Sequence, residues 1–347
     1  MLRDELLRRF PRLKQLPPDC WVVGGAIRDL LLKIEPADVD VACDDPRACA
    51  DSIGGRVVRL GTQEHLSAWR VVVDGSVIYD FAELLDHDIE ADLNRRDFTV
   101  NAMGIELGDG KLLDPYDGRR DLDRKLVRMV VPENFDDDPL RCLKGVRMAV
   151  KHRFHITEGT VEAMRARAEL ITRVAAERVT FELSIIFSSS RFRSALEWLH
   201  ATRLDVPLFG REIDARRFQS DDVSLAGAYA LLVENPKQYA KRWRWSADLL
   251  REVVALKALL ESHSLVDLYD AGESAARQLP ALLGAVGRDP NVAMPDFSTR
   301  ALLNGEEIGL PEGPDLGRVK RALLEAQIRG EVRTRDEAMD FVQRTDA

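Results

Sequence analysis

Residues 20–43 read CWVVGGAIRDLLLKIEPADVDVAC, and this stretch decides the fold expected for the rest of the chain. Its apolar start, Trp21 to Val23, predicts a buried strand, and the apolar spacing from Ala26 to Leu32 predicts a short helix. Between them lies Gly24-Gly25. Two adjacent glycines let backbone N–H groups approach an anion, and the start of a helix adds the positive end of its dipole. This turn is therefore a candidate phosphate-binding site.

Two carboxylates follow the helix on a second predicted strand. Side chains alternate between the faces of a strand, so Asp38 and Asp40 share one face and Val39 lies on the other. Neighbouring carboxylates repel each other unless a cation binds, and Mg²⁺ prefers carboxylate oxygens together with substrate phosphates. Asp-x-Asp also occurs on exposed strands that bind no metal. The order of glycine turn, helix and paired acids favours Asp38 and Asp40 as catalytic metal ligands.

The length and composition of the chain limit the class of protein. With 347 residues, of which 45% are hydrophobic, the chain is expected to form two or three domains with ordinary cores. The net charge of −9 argues against binding nucleic acid through overall charge, but local basic clusters are present. No signal-peptide pattern and no apolar run long enough to span a membrane is found. We therefore expect a cytoplasmic protein without a membrane partner.

The four cysteines, Cys20, Cys43, Cys49 and Cys142, lie beside apolar residues and form no C-x-x-C pair. This pattern predicts small buried side chains in a reducing compartment, and it does not support a structural zinc site. All four are therefore expected in the core.

The segments on either side of the central stretch predict simple local structure. Residues 1–19 predict an N-terminal helix, residues 47–52 a second helix, and residues 69–73 and 77–81 the strands of a hairpin. Asp80 lies in the second strand of the hairpin among apolar and aromatic neighbours. Two interpretations stay open: Asp80 is a third carboxylate beside Asp38 and Asp40, or it is a hydrogen-bonded structural residue.

Residues 95–103, RRDFTVNAM, form a second polar motif. Arg96 suits a phosphate, and Asp97 and Asn101, predicted on neighbouring turns of one helix, suit sugar hydroxyls. The motifs G-G-x-x-R-D, D-x-D and R-R-D-F-T-x-N-A, in this order, resemble those of the class II tRNA nucleotidyltransferase and bacterial poly(A) polymerase family. The resemblance covers nearly the whole chain and is densest over residues 20–182.

Residues 137–141, DDPLR, are predicted to open a helix that runs to about residue 153. They resemble the E-D-x-x-R motif of the family, which implies that Asp138 and Arg141 read the incoming base from one helix face. A carboxylate accepts from the exocyclic amine of cytosine or adenine, and a guanidinium donates to the adjacent ring acceptor. The alternative is that Asp138 caps the helix and pairs with Arg141. The chain departs from the family at Asp137, where Glu is common, and at Lys144-Gly145, where Arg-Ala is common.

The resemblance implies an α+β fold with three parts. Residues 1–130 are expected to form a polymerase beta-like nucleotidyltransferase head with a small mixed β-sheet. Residues 131–200 are expected to form a helical neck that contains the nucleotide-reading helix, which the stretch Glu177-Arg178-Val179 supports. Residues 201–347 are expected to form an all-α body and tail that binds RNA.

The resemblance also implies a function. It predicts a template-independent tRNA nucleotidyltransferase that adds C and/or A to tRNA 3′ ends from CTP and ATP, by two-metal transfer with Mg²⁺. The expected RNA partner is the acceptor arm and 3′ end of tRNA, and the oligomeric state is not predicted. A bacterial poly(A) polymerase is the alternative, and the intact carboxylates disfavour an inactive RNA-binding module. The expected catalytic residues are Asp38, Asp40 and Asp80, with Asp38 and Asp40 as metal ligands, and the expected nucleotide-binding residues are Gly24, Gly25, Arg28, Arg96, Asp97, Asn101, Asp138, Arg141, Lys144 and Arg147.

Overall fold

The computed structural model describes residues 2–60 and 68–345, which form two compact units. The first comprises the described part of Met1–Glu182 together with Trp198–Ile213, and the second comprises Leu183–Glu197 together with the described part of Asp214–Ala347. All described strands belong to the first unit, and the described residues of the second unit form helices and loops. The predicted α+β fold is thus confirmed, whereas the division into head, neck and body stays a prediction.

A seven-stranded mixed sheet forms the centre of the first unit, in the order β3-β4-β5-β2-β1-β6-β7. Its strands are β1 (Trp21–Val23), β2 (Asp38–Cys43), β3 (Arg56–Leu60), β4 (Ala68–Val73), β5 (Val77–Glu83), β6 (Gly104–Glu106) and β7 (Leu112–Leu113). Strand β5 pairs in parallel with β2, and the other neighbouring pairs are antiparallel. The predicted hairpin is present as β4 and β5. Two short strands, β8 (Leu126–Val127) and β9 (His155–Ile156), pair in parallel outside the main sheet.

The predicted N-terminal helix is interrupted. Helix α1 ends at Arg9, and Pro11 opens a separate 3₁₀ turn over Pro11–Gln15, because proline disfavours helical backbone at the residue before it. The described α-helices up to residue 209 are α1 (Leu2–Arg9), α2 (Gly25–Leu31), α3 (Pro46–Ile53), α4 (Ile89–Asn94), α5 (Gly118–Asp123), α6 (Asn134–Asp137), α7 (Leu140–His152), α8 (Glu158–Arg167), α9 (Ala176–Phe187), α10 (Phe192–Ala201) and α11 (Asp205–Phe209). Further 3₁₀ turns lie at Leu85–His87, Thr99–Asn101 and Ala168–Arg173.

The second unit continues with helices to the end of the described chain. These are α12 (Leu225–Leu232), α13 (Pro236–Trp243), α14 (Ala247–Glu261), α15 (Leu265–Ala271), α16 (Glu273–Ala285), α17 (Gly305–Ile308), α18 (Pro314–Ile328) and α19 (Arg335–Thr345), with a 3₁₀ turn at Ala215–Arg217. Buried apolar side chains of α18 and α19, among them Leu323 and Ala338, form one of its cores. Within residues 2–60 and 68–345, none of the helices is both long enough and apolar enough to cross a membrane.

Helix α7 packs closely against the segment that contains the RRDFTVNAM motif. A Cβ added at Gly145 would lie 2.7 Å from Cζ of Phe98 and 2.3 Å from Cε of Met164. Glycine costs a helix interior about 1 kcal/mol relative to alanine. Here it lets the buried Phe98 ring approach the helix backbone. The departure from the family at Gly145 therefore has a packing reason.

Candidate active site

Three of the sequence motifs meet at Gly24, the residue that links β1 to α2. Gly24 has a φ of +79°, a conformation that side chains disfavour. A Cβ added there would lie 2.8 Å from Nη1 of Arg96 and 3.3 Å from Oδ2 of Asp40. Gly24 is therefore required both for its backbone conformation and for the space it leaves. The glycine turn, the D-x-D strand and the R-R-D motif form one site.

The register of the sheet places three carboxylates on one face. Asp40 of β2 stands opposite Val23 of β1 on one side and opposite Asp80 of β5 on the other. Paired residues in a sheet face the same side, and so do residues two apart on one strand. Asp38, Asp40 and Asp80 therefore share one face of the sheet.

Asp80 also has a hydrogen-bonded partner. Nε of Arg70 donates to Oδ1 of Asp80 at 2.8 Å, and Nη2 donates to Oδ2 at 2.7 Å. This bidentate pair joins directly opposed residues of β4 and β5. Both features expected of Asp80 thus occur together: it stands beside the carboxylate pair, and it is held by hydrogen bonds.

The charge on Asp40 is unfavourable in this environment. The pKa of Asp40 is raised to about 6, chiefly by burial and also by the carboxylates of Asp38 and Asp80, while Arg96 and Lys144 act in the opposite direction. Asp38, in contrast, is exposed. A divalent cation at this face would compensate the carboxylate charges, and the oxygen donors are those that Mg²⁺ prefers. The donor set therefore fits a divalent metal ion.

The raised pKa of Asp40 predicts a pH-dependent effect on stability. The carboxyl keeps its proton up to about pH 6 in the folded chain, against an ordinary value of 3.8. The folded chain thus binds this proton more tightly than the unfolded chain does. The resulting contribution to the free energy of unfolding is complete at low pH and is lost as the pH rises through about 6. In Asp40→Asn no such loss occurs, so we expect this variant to gain stability relative to the wild type between about pH 4 and pH 8.

Chemical denaturation at several pH values in the presence of a chelator measures this gain. Asp38→Asn is the matched control, because it removes the same charge from an exposed position two residues away. A difference in unfolding free energy between Asp40→Asn and the wild type that is constant with pH would contradict the prediction.

Two arginines at the turn are held by hydrogen bonds. Arg28 donates from Nε to Oδ1 of Asp29 at 2.8 Å and from Nη1 to Oδ1 of Asn101 at 2.6 Å. Arg96 donates from Nη2 to Oδ2 of the buried Asp92 at 3.0 Å. Both guanidinium groups are fixed in orientation and retain further N–H donors.

The predicted helix through Asp97 and Asn101 is wrong, although the two side chains do meet. Nδ2 of Asn101 donates to Oδ1 of Asp97 at 2.9 Å. The backbone is irregular at residues 95–97, Phe98 bridges to Met129, and a 3₁₀ turn covers Thr99–Asn101. The carboxylate of Asp97 accepts from the N–H of Phe98 at 2.8 Å, a local bond of the kind that competes with helix formation.

Asp138 and Arg141 do not share a face of α7 as predicted, because Asp138 precedes the helix in an extended conformation. Its Oδ1 accepts from the N–H of Leu140 at 3.3 Å, and its Oδ2 accepts from Nη2 of Arg178 at 3.0 Å. Arg141 donates from Nη1 to the carbonyl oxygen of Asn134 at 3.0 Å. Asp138 therefore contacts the start of α7, as in the capping alternative, and also Arg178 of α9.

Asn134 links the two halves of the site, and sequence reasoning missed it. Its buried side chain donates from Nδ2 to the carbonyl oxygens of Asn94 and Arg96, at 2.7 and 2.8 Å. Its own carbonyl oxygen accepts from Arg141. No sequence pattern marks this residue, because all its partners are distant along the chain or are backbone groups.

A cavity of about 340 Å³ lies between α7 and α9, within the size range of small-ligand sites. Phe181, which lines it, is 63% exposed. Arg178 and Phe181 were not predicted as site residues from the sequence, although Arg178 belongs to the E-R-V stretch. The cavity is lined by Leu140, Lys144, Glu177, Arg178, Phe181 and Glu182.

Arg147 is engaged in the same region by an ion pair. Its Nε lies 2.7 Å from Oε2 of Glu182, whose side chain is only 7% exposed. Arg147→Ala would leave this carboxylate buried without that partner. We expect the free energy of unfolding to fall by about 2 kcal/mol, less than for a fully buried pair because Arg147 is 30% exposed.

Urea denaturation of Arg147→Ala, Glu182→Gln and the double variant tests whether Arg147 is structural. The double variant should be more stable than Arg147→Ala, because it leaves no buried charge. Unchanged stability with a raised KM for the nucleotide would show instead that Arg147 binds nucleotide, as the sequence predicted.

Two family models match the chain. Residues 20–128 match the model described as "Poly A polymerase head domain", and residues 153–216 match the one described as "Probable RNA and SrmB- binding site of polymerase A". An A-adding tRNA nucleotidyltransferase of Deinococcus radiodurans is 31% identical, with 98% of each chain covered. A CCA-adding enzyme of Streptococcus thermophilus is 27% identical, covering 99% of this chain and 98% of the relative.

Solved structures share the fold. The Bacillus stearothermophilus CCA-adding enzyme in complex with CTP is similar with a TM-score of 0.80, at 24% identity, over 99% of this chain and 98% of that one. The Thermotoga maritima CCA-adding enzyme complexed with tRNA_CCA is similar with a TM-score of 0.69, at 21% identity, over 94% of this chain and 91% of that one. At these identities the similarity concerns the fold.

Proposed function

Because the chain belongs to the tRNA nucleotidyltransferase family, we propose that it adds cytidylate and/or adenylate to the 3′ end of tRNA. The protein is an enzyme of the nucleotidyltransferase class, whose reaction depends on a divalent metal ion. In the proposed reaction the 3′-hydroxyl attacks the α-phosphate of CTP or ATP, and pyrophosphate leaves. The observation that carries the proposal is the approach of Asp40 and Arg96 to Gly24, each within 3.3 Å of the point where a Cβ of Gly24 would lie.

The triphosphate is assigned to the side of the site formed by Gly24, Gly25, Arg28 and Arg96. Gly24 leaves open the space that a side chain would fill between Arg96 and Asp40. Arg28 and Arg96 are already oriented by Asp29, Asn101 and Asp92. Guanidinium groups held in this way bind phosphate without the entropy cost of ordering flexible side chains.

The metal is proposed to be Mg²⁺, held by Asp38 and Asp40. When bound, Mg²⁺ stabilises the charge that develops on the phosphate oxygens and lowers the pKa of the attacking hydroxyl. The observation in favour is the pKa of Asp40, which its burial and the neighbouring carboxylates raise to about 6. Asp80 is proposed to position Arg70 and to add negative charge to the same face.

Selection of the base is proposed for Asp138 and Arg141, which flank Leu140, a residue that lines the cavity, at the start of α7. Arg178 orients the Asp138 carboxylate by donating to one of its oxygens. Cytosine and adenine both carry an exocyclic amine that such a carboxylate can accept from, whereas uracil and guanine present a carbonyl oxygen there. Phe181 offers an exposed ring at the cavity on which a base can stack.

The RNA is assigned to residues 153–216 and to the helices that follow. Residues 153–216 match the model of an RNA-binding site, and they carry ten arginines against nine acidic residues in a chain whose net charge is −9. Arginine side chains of such a segment can bind the phosphate backbone. A tRNA substrate also agrees with the cytoplasmic location expected from the sequence.

The test offers the protein three RNAs: a tRNA lacking CCA, a tRNA ending in CC, and an unstructured RNA. Each is incubated with the four nucleotides singly and together, and product lengths are measured at single-nucleotide resolution. We expect extension of one or both tRNAs by a defined number of C and A residues. Long adenylate tails on all three RNAs would identify a poly(A) polymerase, and no extension of any RNA would refute the proposal.

A further inference from the structure

Three of the four cysteines meet in the first unit. Cys20 directly precedes β1, Cys43 ends β2, and Cys49 lies in α3. Because β1 and β2 are antiparallel with Trp21 opposite Ala42, Cys20 and Cys43 lie at the same end of this strand pair. The three Sγ atoms all lie within 4.8 Å of one another, and the Sγ atoms of Cys20 and Cys49 are 3.8 Å apart.

The separation of the Cys20 and Cys49 Sγ atoms matches that in a thiolate metal site. Two thiolates bound to one tetrahedral Zn²⁺ at about 2.3 Å each stand about 3.8 Å apart. The three side chains come from separate elements of a packed sheet and helix, so the fold fixes the positions of the sulfur atoms. Each cysteine is at most 5% exposed, and burial protects a bound soft metal from competing ligands.

The cluster is accessible from one side. A cavity of about 390 Å³ reaches all three cysteines and is also lined by Asp19, Asp44 and Asp45. Asp45 caps α3 by accepting from the N–H of Ala48, and Asp44 pairs with His87. An acidic entrance attracts cations, and the open side leaves a fourth coordination position for water or a carboxylate.

The cluster is distinct from the proposed catalytic carboxylates, although it shares a strand with them. Cys43 follows Asp40 by three residues on β2, about 10 Å along the strand at 3.3 Å per residue. Because a thiol binds a metal ion as the thiolate, binding would displace thiol protons into water, and affinity would fall as the pH falls.

We propose that Cys20, Cys43 and Cys49 form a binding site for one thiolate-preferring metal ion, Zn²⁺, which clamps β1, β2 and α3 together. The sequence did not predict it, because the three cysteines lack the C-x-x-C spacing. The competing explanation is that the three thiols are ordinary small core residues. Neither the site nor its test depends on the proposed function.

The experiment titrates Co²⁺ into the reduced, metal-free, full-length protein and records the absorption spectrum. We expect one equivalent per chain to produce a sulfur-to-cobalt charge-transfer band with the visible bands of tetrahedral Co²⁺, and Zn²⁺ to abolish both. The Asp38→Ala/Asp40→Ala variant should retain the bands, because carboxylates give no thiolate charge transfer. Cys49→Ala should lose them. Cys142→Ala, which removes a buried cysteine of α7, is the matched control and should keep them.

A wild-type protein without the charge-transfer band would overturn the proposal, and so would a band that survives in Cys49→Ala. The wild-type measurement does not require any variant to fold. A second readout is the unfolding midpoint, which Zn²⁺ should raise in the wild type and in Cys142→Ala but not in Cys49→Ala. Equal shifts in all three would show that Zn²⁺ binds elsewhere.

Discussion

Replacing Asp38 and Asp40 together with alanine is expected to lower the rate of nucleotide incorporation by about 10³-fold or more. The proposed metal ions contribute several kcal/mol of transition-state stabilisation, and each 1.36 kcal/mol corresponds to a factor of ten in rate. Asp40 stands between β1 and β5 at the point where Gly24 and Arg96 approach it. No other described residue on β2 carries a carboxylate, so no side chain of this strand can substitute for Asp38 and Asp40 in the variant.

The measurement is single-turnover incorporation of one nucleotide into a tRNA lacking CCA, with tRNA affinity measured separately by fluorescence anisotropy. Affinity for tRNA should change little, because the carboxylates are not expected to bind the RNA. Full incorporation by the double variant at unchanged rate would refute the assignment of the metal site.

Asp80→Asn is the matched control for this prediction. It removes a third negative charge from the same face while keeping a side chain that can hydrogen-bond to Arg70. If Asp80 positions Arg70, incorporation should fall by about tenfold or less, in line with the loss of one charge-assisted hydrogen bond. A loss as large as that of the double variant would identify Asp80 as a metal ligand, the other interpretation that the sequence left open.

Features that depend on local sequence were predictable, and those that depend on pairing between strands distant in the sequence were not. Alternation along β2 placed Asp38 and Asp40 on one face, and glycine at a turn marked the space beside Arg96. The parallel pairing of β2 with β5, which brings Asp80 to Asp40, joins segments that no local pattern connects. The hairpin of β4 and β5 was visible in the sequence, but its neighbour in the sheet was not.

Local side-chain and backbone effects explain the errors near the proposed base-reading region. The sequence favoured one helix through Asp97 and Asn101, but the Asp97 carboxylate accepts from the next backbone N–H and the chain turns. Spacing alone suggested that Asp138 and Arg141 share a helix face, but Pro139 follows Asp138 and keeps it out of the helix. Arg178 reaches Asp138 from a helix about forty residues later, a contact that no spacing rule reveals.

Replacing Asp138 with alanine is expected to reduce discrimination among the four nucleotides by about 5- to 150-fold, the equivalent of about 1–3 kcal/mol. Arg141→Ala should act in the same direction. The proposed catalytic carboxylates remain in both variants, so incorporation itself should continue. Competition between CTP or ATP and UTP or GTP on a tRNA lacking CCA measures the ratio of kcat/KM values, and unchanged ratios in both variants would refute the base-reading assignment.

Two further variants separate direct reading from positioning. Asp138→Asn keeps the size of the side chain but adds an N–H donor, so we expect incorporation of UTP or GTP to rise relative to CTP and ATP, because their carbonyl oxygens accept. Arg178→Ala removes the donor that holds the Asp138 carboxylate, at 3.0 Å, without changing the carboxylate itself. If Arg178 only positions Asp138, this variant should lose selectivity without acquiring the preference of Asp138→Asn. A reversal of preference in Arg178→Ala would show that Arg178 contacts the base directly.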